Sequence, residues 1–404
     1  MSTQRGTVTS QEAKDRSHFA TPMYEGLETN IPHILMEHSD DKSLRTRQLF
    51  PSREAVLEYL RHYGRDVRHH VRFHTLVEDI QLQNSAALDQ WSIRSRDLLS
   101  NERSIKEYDA VVIASGHYSV PFIPDIMGIR DWADANPDII SHSKYYRSAE
   151  SFDGKKTVVV GYSASGVDIT HQLSSKAKWP IMVSQRSPSA FTFPKSYKVD
   201  VPEIVEFLPS SRGRKAVRFA NGHIEEDLDA ILFCTGYLFS YPYLSSLKPP
   251  IISNGERVQH LYKQIFHIKH PSLAFIGLPS KIIPFRTFEC QAAVIAKVLA
   301  QRLVLPTAEA MQDWETRMIE ERGEGKKYSV LDHPKDFDYH NELVAWATQT
   351  REPSRGIIPP IWTDEDYWVR KNIPAIKASF SQKGEGRHAF RRIEDLGLRL
   401  DNNR

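Results

Sequence analysis

Four stretches of the chain are continuously apolar: Tyr108–Ser115 (YDAVVIAS), Thr157–Val160 (TVVV), Asp229–Thr235 (DAILFCT) and Leu273–Ile276 (LAFI). Such runs predict strands buried on both faces, as in parallel sheets. Val71–Leu76, Val77–Leu82 and Gln90–Arg96 alternate instead, and predict the strands of a small meander. Helical spacing predicts an amphipathic helix over Val56–Tyr63. Pro51-Ser52 leads into it, with Ser52 as N-cap and Glu54 and Glu58 near its start. A second, longer helix is predicted over Phe288–Leu303. Pro121–Gly128 reads as a proline-punctuated linker. The first twenty residues are polar and patternless, and disorder is expected there. After Ala308 the chain turns charged and proline-rich, with Trp314, Trp346, Trp362 and Trp368 as candidate anchors of a wrapping extension. Strands mixed with helices, and no solenoid repeat, predict an α/β fold.

The richest local signal is Thr157–Ile169, TVVVGYSASGVDI. A strand runs into a turn of small residues that opens a helix, the layout of a dinucleotide-binding turn. Gly161 stands where the strand must turn. Tyr162 follows it, and Ser163 takes the place of a second glycine, where backbone and pyrophosphate approach. Ser165 precedes Gly166, which lets the helix pack closely on the strand, and Val167 and Asp168 continue the helix. Its N-terminus offers N–H groups and a partial positive charge to phosphates. About twenty residues on, a strand over Ile181–Ser184 ends at Gln185-Arg186 and not at an acid. An acid there accepts from an unmodified ribose, whereas Arg186 suits a 2′-phosphate, so the reading is NADP and not NAD.

Composition narrows the classes. With 404 residues the chain has room for two or three domains. Its net charge of +2, without a basic block, gives no sign of nucleic-acid binding. Cys234 and Cys290 are its two cysteines, each in an apolar setting, which supports neither a disulfide framework nor a metal–thiolate site. No apolar run is long enough to span a membrane, and the polar N-terminus lacks the apolar segment of a secretory signal. These features predict a soluble, cytoplasmic protein without a metal.

Two of the buried strands close on similar phrases, ASGH at Ala114–His117 and CTGY at Cys234–Tyr237. Each sets a glycine, Gly116 or Gly236, at a strand's carboxyl end, where open α/β sheets bind ligands. With a nucleotide turn between them, the pair predicts two dinucleotide folds, one inserted in the other. The expected boundaries are residues 21–150 with 234–305 for the outer domain and 151–233 for the insert. Residues 1–20 precede them and an extension, 306–404, follows.

Several phrases together resemble the flavin-containing monooxygenases, in the group with fungal and yeast members. They are TPMYEGLETNIP (Thr21–Pro32), FPSREAVLEYL (Phe50–Leu60), YDAVVIASGHYSVPFIP (Tyr108–Pro124), SFDGKKTVVVGYSASGVDI (Ser151–Ile169), DAILFCTGY (Asp229–Tyr237) and HPSLAFIGLP (His270–Pro279). The resemblance implies an outer FAD domain and an inserted NADPH domain. It implies that NADPH reduces FAD, that O2 adds at the flavin C4a, and that the hydroperoxide passes one oxygen to a soft nitrogen or sulfur of a small molecule. Thr29-Asn30 looks like the family's L-x-T-N phrase, whose asparagine lies at the flavin–nicotinamide junction. Asn30 is therefore the candidate catalytic residue, a neutral amide that hydrogen-bonds without titrating. On the residues alone it reads as a turn asparagine. Ser165 to Asp168 correspond to the family's phosphate turn. His142-x-x-x-Tyr146 resembles the end of the fingerprint F-x-G-x-x-x-H-x-x-x-[YF], with Asn136 and Asp138 in place of its Phe and Gly; a surface histidine is the other reading. Tyr146-Arg147 also departs from the tryptophan-proline of Baeyer–Villiger relatives.

The same resemblance carries a departure. Family members open with a G-x-G-x-x-G turn for the FAD pyrophosphate, and that motif occurs nowhere in this sequence. A βαβ unit needs about 30 residues, more than precede Thr21, so the expectation is an FAD sheet without its first strand. Its neighbours, Tyr108–Ser115 and Asp229–Thr235, would then be left with open edges. The remaining FAD contacts expected are Asn30, Ser115-Gly116, Gly236, and Glu289 and Gln291 at the start of the long helix. Core packing is the equal alternative for that helix. The expected activity is an FAD- and NADPH-dependent monooxygenase. The alternatives are a catalytically degenerate NADP-binding or scaffold protein that has lost FAD binding, or a Baeyer–Villiger or N-hydroxylating enzyme. Substrate and oligomeric state are not legible in the sequence.

Overall fold

The computed structural model describes residues 21–83, 89–186, 195–209, 214–349, 356–357 and 359–398. The chain forms two compact units. The smaller comprises Met1–Asn30 and Pro121–Tyr237, the larger Ile31–Val120 and Leu238–Arg404.

In the larger unit, helix α1 spans Arg53–Tyr63, and the Ser52 hydroxyl accepts from the Ala55 amide as its N-cap. An antiparallel meander follows, of β1 (Thr75–Gln83), β2 (Gln90–Asp97) and β3 (Arg103–Tyr108). The two strands expected over residues 71–82 are corrected to one. His74 takes a left-handed φ of 53°, which turns the chain just before β1 and keeps Val71–Phe73 out of the ladder. A bulge between Val77 and Asp79 then accounts for the break in alternation. The strand expected over Tyr108–Ser115 is also corrected. β3 ends at Tyr108 in the meander, while β4, Val111–Ile113, joins a different sheet and leaves Val112 39% exposed.

The smaller unit is built on β5 (Ile140–His142), β6 (Lys156–Val160), helix α2 (Ala164–Leu173), β7 (Lys178–Ser184) and β8 (Lys198–Val201). An antiparallel ribbon of β9 (Ile204–Phe207), β10 (Val217–Phe219) and β11 (Ile224–Glu225) follows, then β12 (Ala230–Phe233). The sheet is five-stranded and parallel, in the order β5-β12-β6-β7-β8. Successive residues of β6 feed opposite faces. Val158 and Val160 pack with Trp132, Phe207 and Phe219, and Val159 packs with Ile169, Leu173 and Tyr24.

This sheet overturns one expectation. Asp229–Thr235 does not border a flavin sheet: β12 lies between β5 and β6, with Ala230 opposite Thr157 and Phe233 opposite Val160. All four of its residues are buried, and a central parallel strand covers both their faces and edges. Because β5 belongs to the same sheet, the second segment of this compact unit starts at Pro121, ahead of Ser151. Nor is Pro121–Gly128 a loose linker. The Phe122 amide donates to the Gly236 carbonyl at 2.8 Å, and the Thr235 hydroxyl donates to the Phe122 carbonyl.

The larger unit resumes with β13 (Leu261–Tyr262), β14 (Phe266–His267) and β15 (Leu273–Phe275). Its sheet runs β13-β14-β15-β4, with β15 and β4 parallel and Phe275 opposite Ile113. Four helices follow: α3 (Pro284–Leu299), α4 (Ala308–Arg322), α5 (Lys335–Thr348) and α6 (Asp364–Ser381). α3 is shifted toward the N-terminus of the range expected, because Pro284 supplies a preformed first helical position. The tryptophans of the extension do anchor it. Trp314 and Trp346 meet Tyr262 edge-on at 5.5 and 5.8 Å, while Trp362 is buried beside Leu35, Ile376 and Phe380, with Trp368 against that cluster. Cys234 and Cys290 are free thiols, both buried. Among the described residues, no helix is long and apolar enough to cross a membrane and no group of side chains is placed to hold a metal ion.

Candidate functional site

The turn between β6 and α2 has the geometry its sequence predicts. Gly161 adopts φ +93°, and a Cβ there would lie 2.8 Å from the Cys234 carbonyl oxygen. At Gly166 a Cβ would come within 2.1 Å of the Gly161 carbonyl oxygen, so only glycine lets α2 sit this close to β6. Val167 is buried behind it, beside Tyr162. Ser163 is the N-cap residue in extended backbone, yet among the described residues its side chain makes no capping hydrogen bond. The first-turn N–H groups of α2, on the exposed side with Ser163 and Ala164 and half-buried Ser165, are thus left for a ligand. These residues fit a dinucleotide pyrophosphate.

Beyond the turn, β7 ends at Ser184, and Arg186 stands 79% exposed two residues later. Its Nε donates to Glu203 Oε2 at 2.8 Å. Lys198 of β8 pairs with Asp200 at 2.5 Å, and its ammonium lies 4.9 Å from the centre of the Tyr162 ring. The Tyr162 hydroxyl is buried without a hydrogen-bond partner among the described residues, and burial pushes its pKa up. Sequence reasoning missed Glu203: it reaches Arg186 from 17 residues away, where no motif points.

Asp168 is placed differently from the expectation that it serves the phosphate turn. Its carboxylate accepts from the Tyr24 hydroxyl at 2.6 Å and from Gln172 Nε2 at 3.2 Å, and Gln172 accepts in turn from the Tyr146 hydroxyl at 3.0 Å. A carboxylate beside a phosphate would repel it, and here Tyr24 holds it within the protein. Burial first, then the charge of Asp168, raises the Tyr24 pKa. The network, with the Glu25 amide donating to the Arg147 carbonyl at 2.8 Å, fixes the segment that leads to Thr29 and Asn30. Both of these residues are half-buried. The alternative of a surface histidine for His142 is corrected: it is 1% exposed, its Nδ1 accepts from the Lys144 amide, and its ring meets Tyr237 edge-on.

In the larger unit, β4 ends at Ile113, and the exposed turn after it holds Ser115, whose hydroxyl is 2.9 Å from the Tyr243 hydroxyl, and Gly116 with φ +72°. His117 follows, tilted against Phe239, and burial lowers its pKa to about 4. Because α3 begins at Pro284, Glu289 and Gln291 lie in its second and third turns and not at its N-terminus. Gln291 is fully buried and uses both ends of its amide: Oε1 accepts from the Gly277 amide at 2.9 Å and Nε2 donates to the Tyr339 hydroxyl at 3.0 Å. It fastens the turn after β15 to α3 and α5. Glu289 accepts from the amide and the hydroxyl of Ser39.

A cavity of about 500 Å³ opens beside α3, lined by His38, Tyr63, Phe288, Glu289, Ala293 and Lys297. The His38 ring is stacked on Tyr63, with centroids 3.7 Å apart, and on Phe285 at 5.2 Å. Burial lowers the His38 pKa, which keeps this wall neutral. The cavity fits a flat ring. A pyrophosphate is not matched among the described residues of this unit: α1, α4 and α6 are capped by Ser52, Thr307 and Thr363, and Pro284 and Pro334 stand at the starts of α3 and α5. The described residues therefore offer a flavin ring a cavity, with Lys297 and Arg302 on its lining, and the capped starts of α1, α4 and α6 are not left open for its phosphates.

Comparison with known proteins extends this geometry. A family model described as flavin-binding monooxygenase-like matches residues 12–205 and 210–349. The thiol-specific monooxygenase of Saccharomyces cerevisiae is 32% identical over 301 residues, covering 70% of this chain and 67% of that protein. The flavin-containing monooxygenase FMO GS-OX-like 2 of Arabidopsis thaliana is 34% identical over 342 residues, covering 80% and 71%. Among solved structures, S-allyl-L-cysteine S-oxygenase from Allium sativum matches with a TM-score of 0.76 at 26% identity, over 93% of this chain and 83% of that one. Tmm from Pelagibacter sp. strain HTCC7211 shares the fold, with a TM-score of 0.69 at 24% identity over 89% and 77%. The α/β architecture is that of these solved structures, a mixed fold similar to flavin monooxygenases with Rossmann-type domains. Through a match that spans most of its length, the chain belongs to the flavin-binding monooxygenase-like family and is a flavin-dependent monooxygenase.

Proposed function

We propose that this enzyme uses FAD, NADPH and O2 to place one oxygen atom on the sulfur of a small thiol or thioether. One atom of O2 goes to sulfur and the other leaves as water, with NADPH and a proton supplying the two electrons and two hydrogens. The observation that carries the reading is the turn from Gly161 to Gly166, which holds α2 close to β6 and leaves its start without a side-chain cap among the described residues. Sulfur is favoured over nitrogen because the names of two relatives specify it, a thiol-specific monooxygenase and an S-allyl-L-cysteine S-oxygenase.

FAD, when bound, accepts the electrons of NADPH and is the centre at which O2 is activated. The residues of this chain do the holding. The α2 N-terminus with Gly161, Tyr162, Ser163, Ser165, Gly166 and Val167 takes the pyrophosphate of NADPH, and Arg186 takes its 2′-phosphate. His38, Tyr63 and Phe288 offer the flavin ring an apolar, neutral wall, with Glu289 on the same cavity. Ser115, Gly116 and Gly236 offer backbone at strand ends, and Asp168 and Gln291 act by positioning the segments they tie. Thr29 leads into Asn30, whose amide donates and accepts without titrating, as the resemblance requires of a group beside a reactive oxygen species. The reading carries with it a cytoplasmic location, where free thiols and NADPH are maintained.

The test supplies FAD and NADPH to the purified chain with a small thiol, an S-alkyl cysteine, a tertiary amine and a cyclic ketone. Substrate-dependent NADPH oxidation, with labelled oxygen from O2 appearing in the sulfur compounds, is the expected result. Labelled product from the amine or ketone and none from sulfur compounds overturns the sulfur assignment. No NADPH oxidation with FAD present overturns the catalytic reading in favour of a nucleotide-binding protein.

A further inference from the structure

We propose that Glu203 is a specificity-determining residue of the nucleotide site, which holds down the preference for NADPH that Arg186 confers. The inference deepens the reading above, since it rests on Arg186 receiving the 2′-phosphate. The end of the second nucleotide strand is where an acid selects an unmodified ribose and a cation selects a phosphorylated one. From the sequence, this position holds a cation alone. The structure adds an acid: Glu203, two residues beyond β8, accepts from Arg186 Nε at 2.8 Å. Arg186 is 79% and Glu203 47% exposed, so the pair faces the solvent from which a nucleotide arrives. The parallel pairing of β7 with β8 puts Val201 opposite Ser184 and brings the two residues together where both strands end. Another charged pair of β8, Lys198 with Asp200, has its ammonium over the Tyr162 ring.

Two consequences follow from one carboxylate. A 2′-phosphate must displace Glu203 from Arg186 and then sit beside a like charge, which weakens NADPH binding. An unmodified ribose meets an acceptor for its 2′-hydroxyl, which supports NADH binding. Removing the charge of Glu203 therefore acts oppositely on the two nucleotides, while removing Arg186 acts on NADPH.

Fluorescence titrations with NADPH and with NADH on wild type, Glu203→Gln, Arg186→Ala and Asp200→Asn test this. Glu203→Gln is expected to tighten NADPH about two- to fivefold, the scale of an exposed ion pair, and to leave NADH unchanged or weaker. Asp200→Asn, which disturbs the pair that does not face Arg186, is expected to leave the ratio of affinities as in wild type. An unchanged or lowered preference for NADPH in Glu203→Gln overturns the role of Glu203. Full NADPH affinity in Arg186→Ala overturns the placement of the 2′-phosphate, and with it this inference, independently of the Glu203 result. Both substitutions lie on an exposed strand end, and unchanged thermal unfolding checks that the fold is intact.

Discussion

Gly166 shows how narrowly a single residue can determine the nucleotide turn. A methyl group at this position would overlap the Gly161 carbonyl oxygen, a backbone atom that cannot swing aside as a side chain can. Gly166→Ala is therefore expected to lose about 1–3 kcal/mol of stability and to weaken NADPH binding, because α2 must lift from β6. Thermal unfolding and an NADPH titration of that variant measure the two effects; an unchanged titration would contradict the close-packing argument. Asn30 makes the opposite case. It is half-buried in the segment that Tyr24 and Asp168 hold in place. Asn30→Ala is expected to leave unfolding within about 0.5 kcal/mol of wild type while more of the NADPH consumed appears as hydrogen peroxide and less as oxygenated product. Wild-type coupling in that variant would remove Asn30 from the oxygen chemistry.

At the scale of elements, caps separate the structural helices from the one proposed to bind a ligand. α6 starts with a full capping box, Thr363 accepting from the Asp366 amide while the Asp366 carboxylate accepts from the Thr363 amide. It also buries Val369, Ile373, Ile376 and Phe380 against the rest of the larger unit. Thr363→Ala is expected to cost about 0.5–2 kcal/mol, read as a lower thermal midpoint with NADPH affinity unchanged. A loss of nucleotide binding in that variant would show that α6 is not the purely structural element its cap implies. α2 has the reverse character: among the described residues it lacks a side-chain cap, and on the proposed reading a ligand phosphate takes that place. β4 and β12 illustrate a limit of pattern reading. Both are apolar runs closing at a glycine, yet one joins the sheet of the larger unit and the other the centre of the smaller unit's sheet.

For the molecule as a whole, pH and cofactor supply are the informative variables. His117, His267 and His340, all in the larger unit, are held at about 4, with burial as the leading cause in each. Their ordinary value is 6.5, so the unfolded chain takes up protons that the folded one refuses as pH falls from about 6.5 toward 4. The stability that these neutral rings contribute is whole above that window and declines through it. The thermal midpoint is expected to drop between pH 6.5 and pH 4, and a flat midpoint there would mean that these rings can be charged in place. Cofactor binding is expected to divide between the units. The smaller contains its phosphate turn entire, so NADPH should saturate the chain without added FAD. The larger offers a ring cavity without a matched phosphate cradle among its described residues, so FAD should be lost on gel filtration, as read from flavin absorbance. One FAD retained per chain would locate the pyrophosphate on a cradle other than a glycine turn.

The sequence by itself determined what depends on neighbours along the chain. The strand-turn-helix of Gly161–Gly166, the Ser52 cap, the buried character of each apolar run and the anchoring tryptophans are local consequences of periodicity and steric size. The family resemblance rested on phrases of the same kind. Tertiary structure decided every matter of partnership. It split Tyr108–Ser115 between a meander and a parallel sheet, and it moved β12 into the nucleotide sheet. It gave Asp168 to Tyr24, 144 residues away, and Gln291 to Gly277 and Tyr339, and it set Glu203 beside Arg186. An apolar run states that it must be covered without naming what covers it, and a side-chain amide or carboxylate states only that it needs partners. Those choices depend on which surfaces the folded chain brings within hydrogen-bonding distance, and no stretch of sequence contains them.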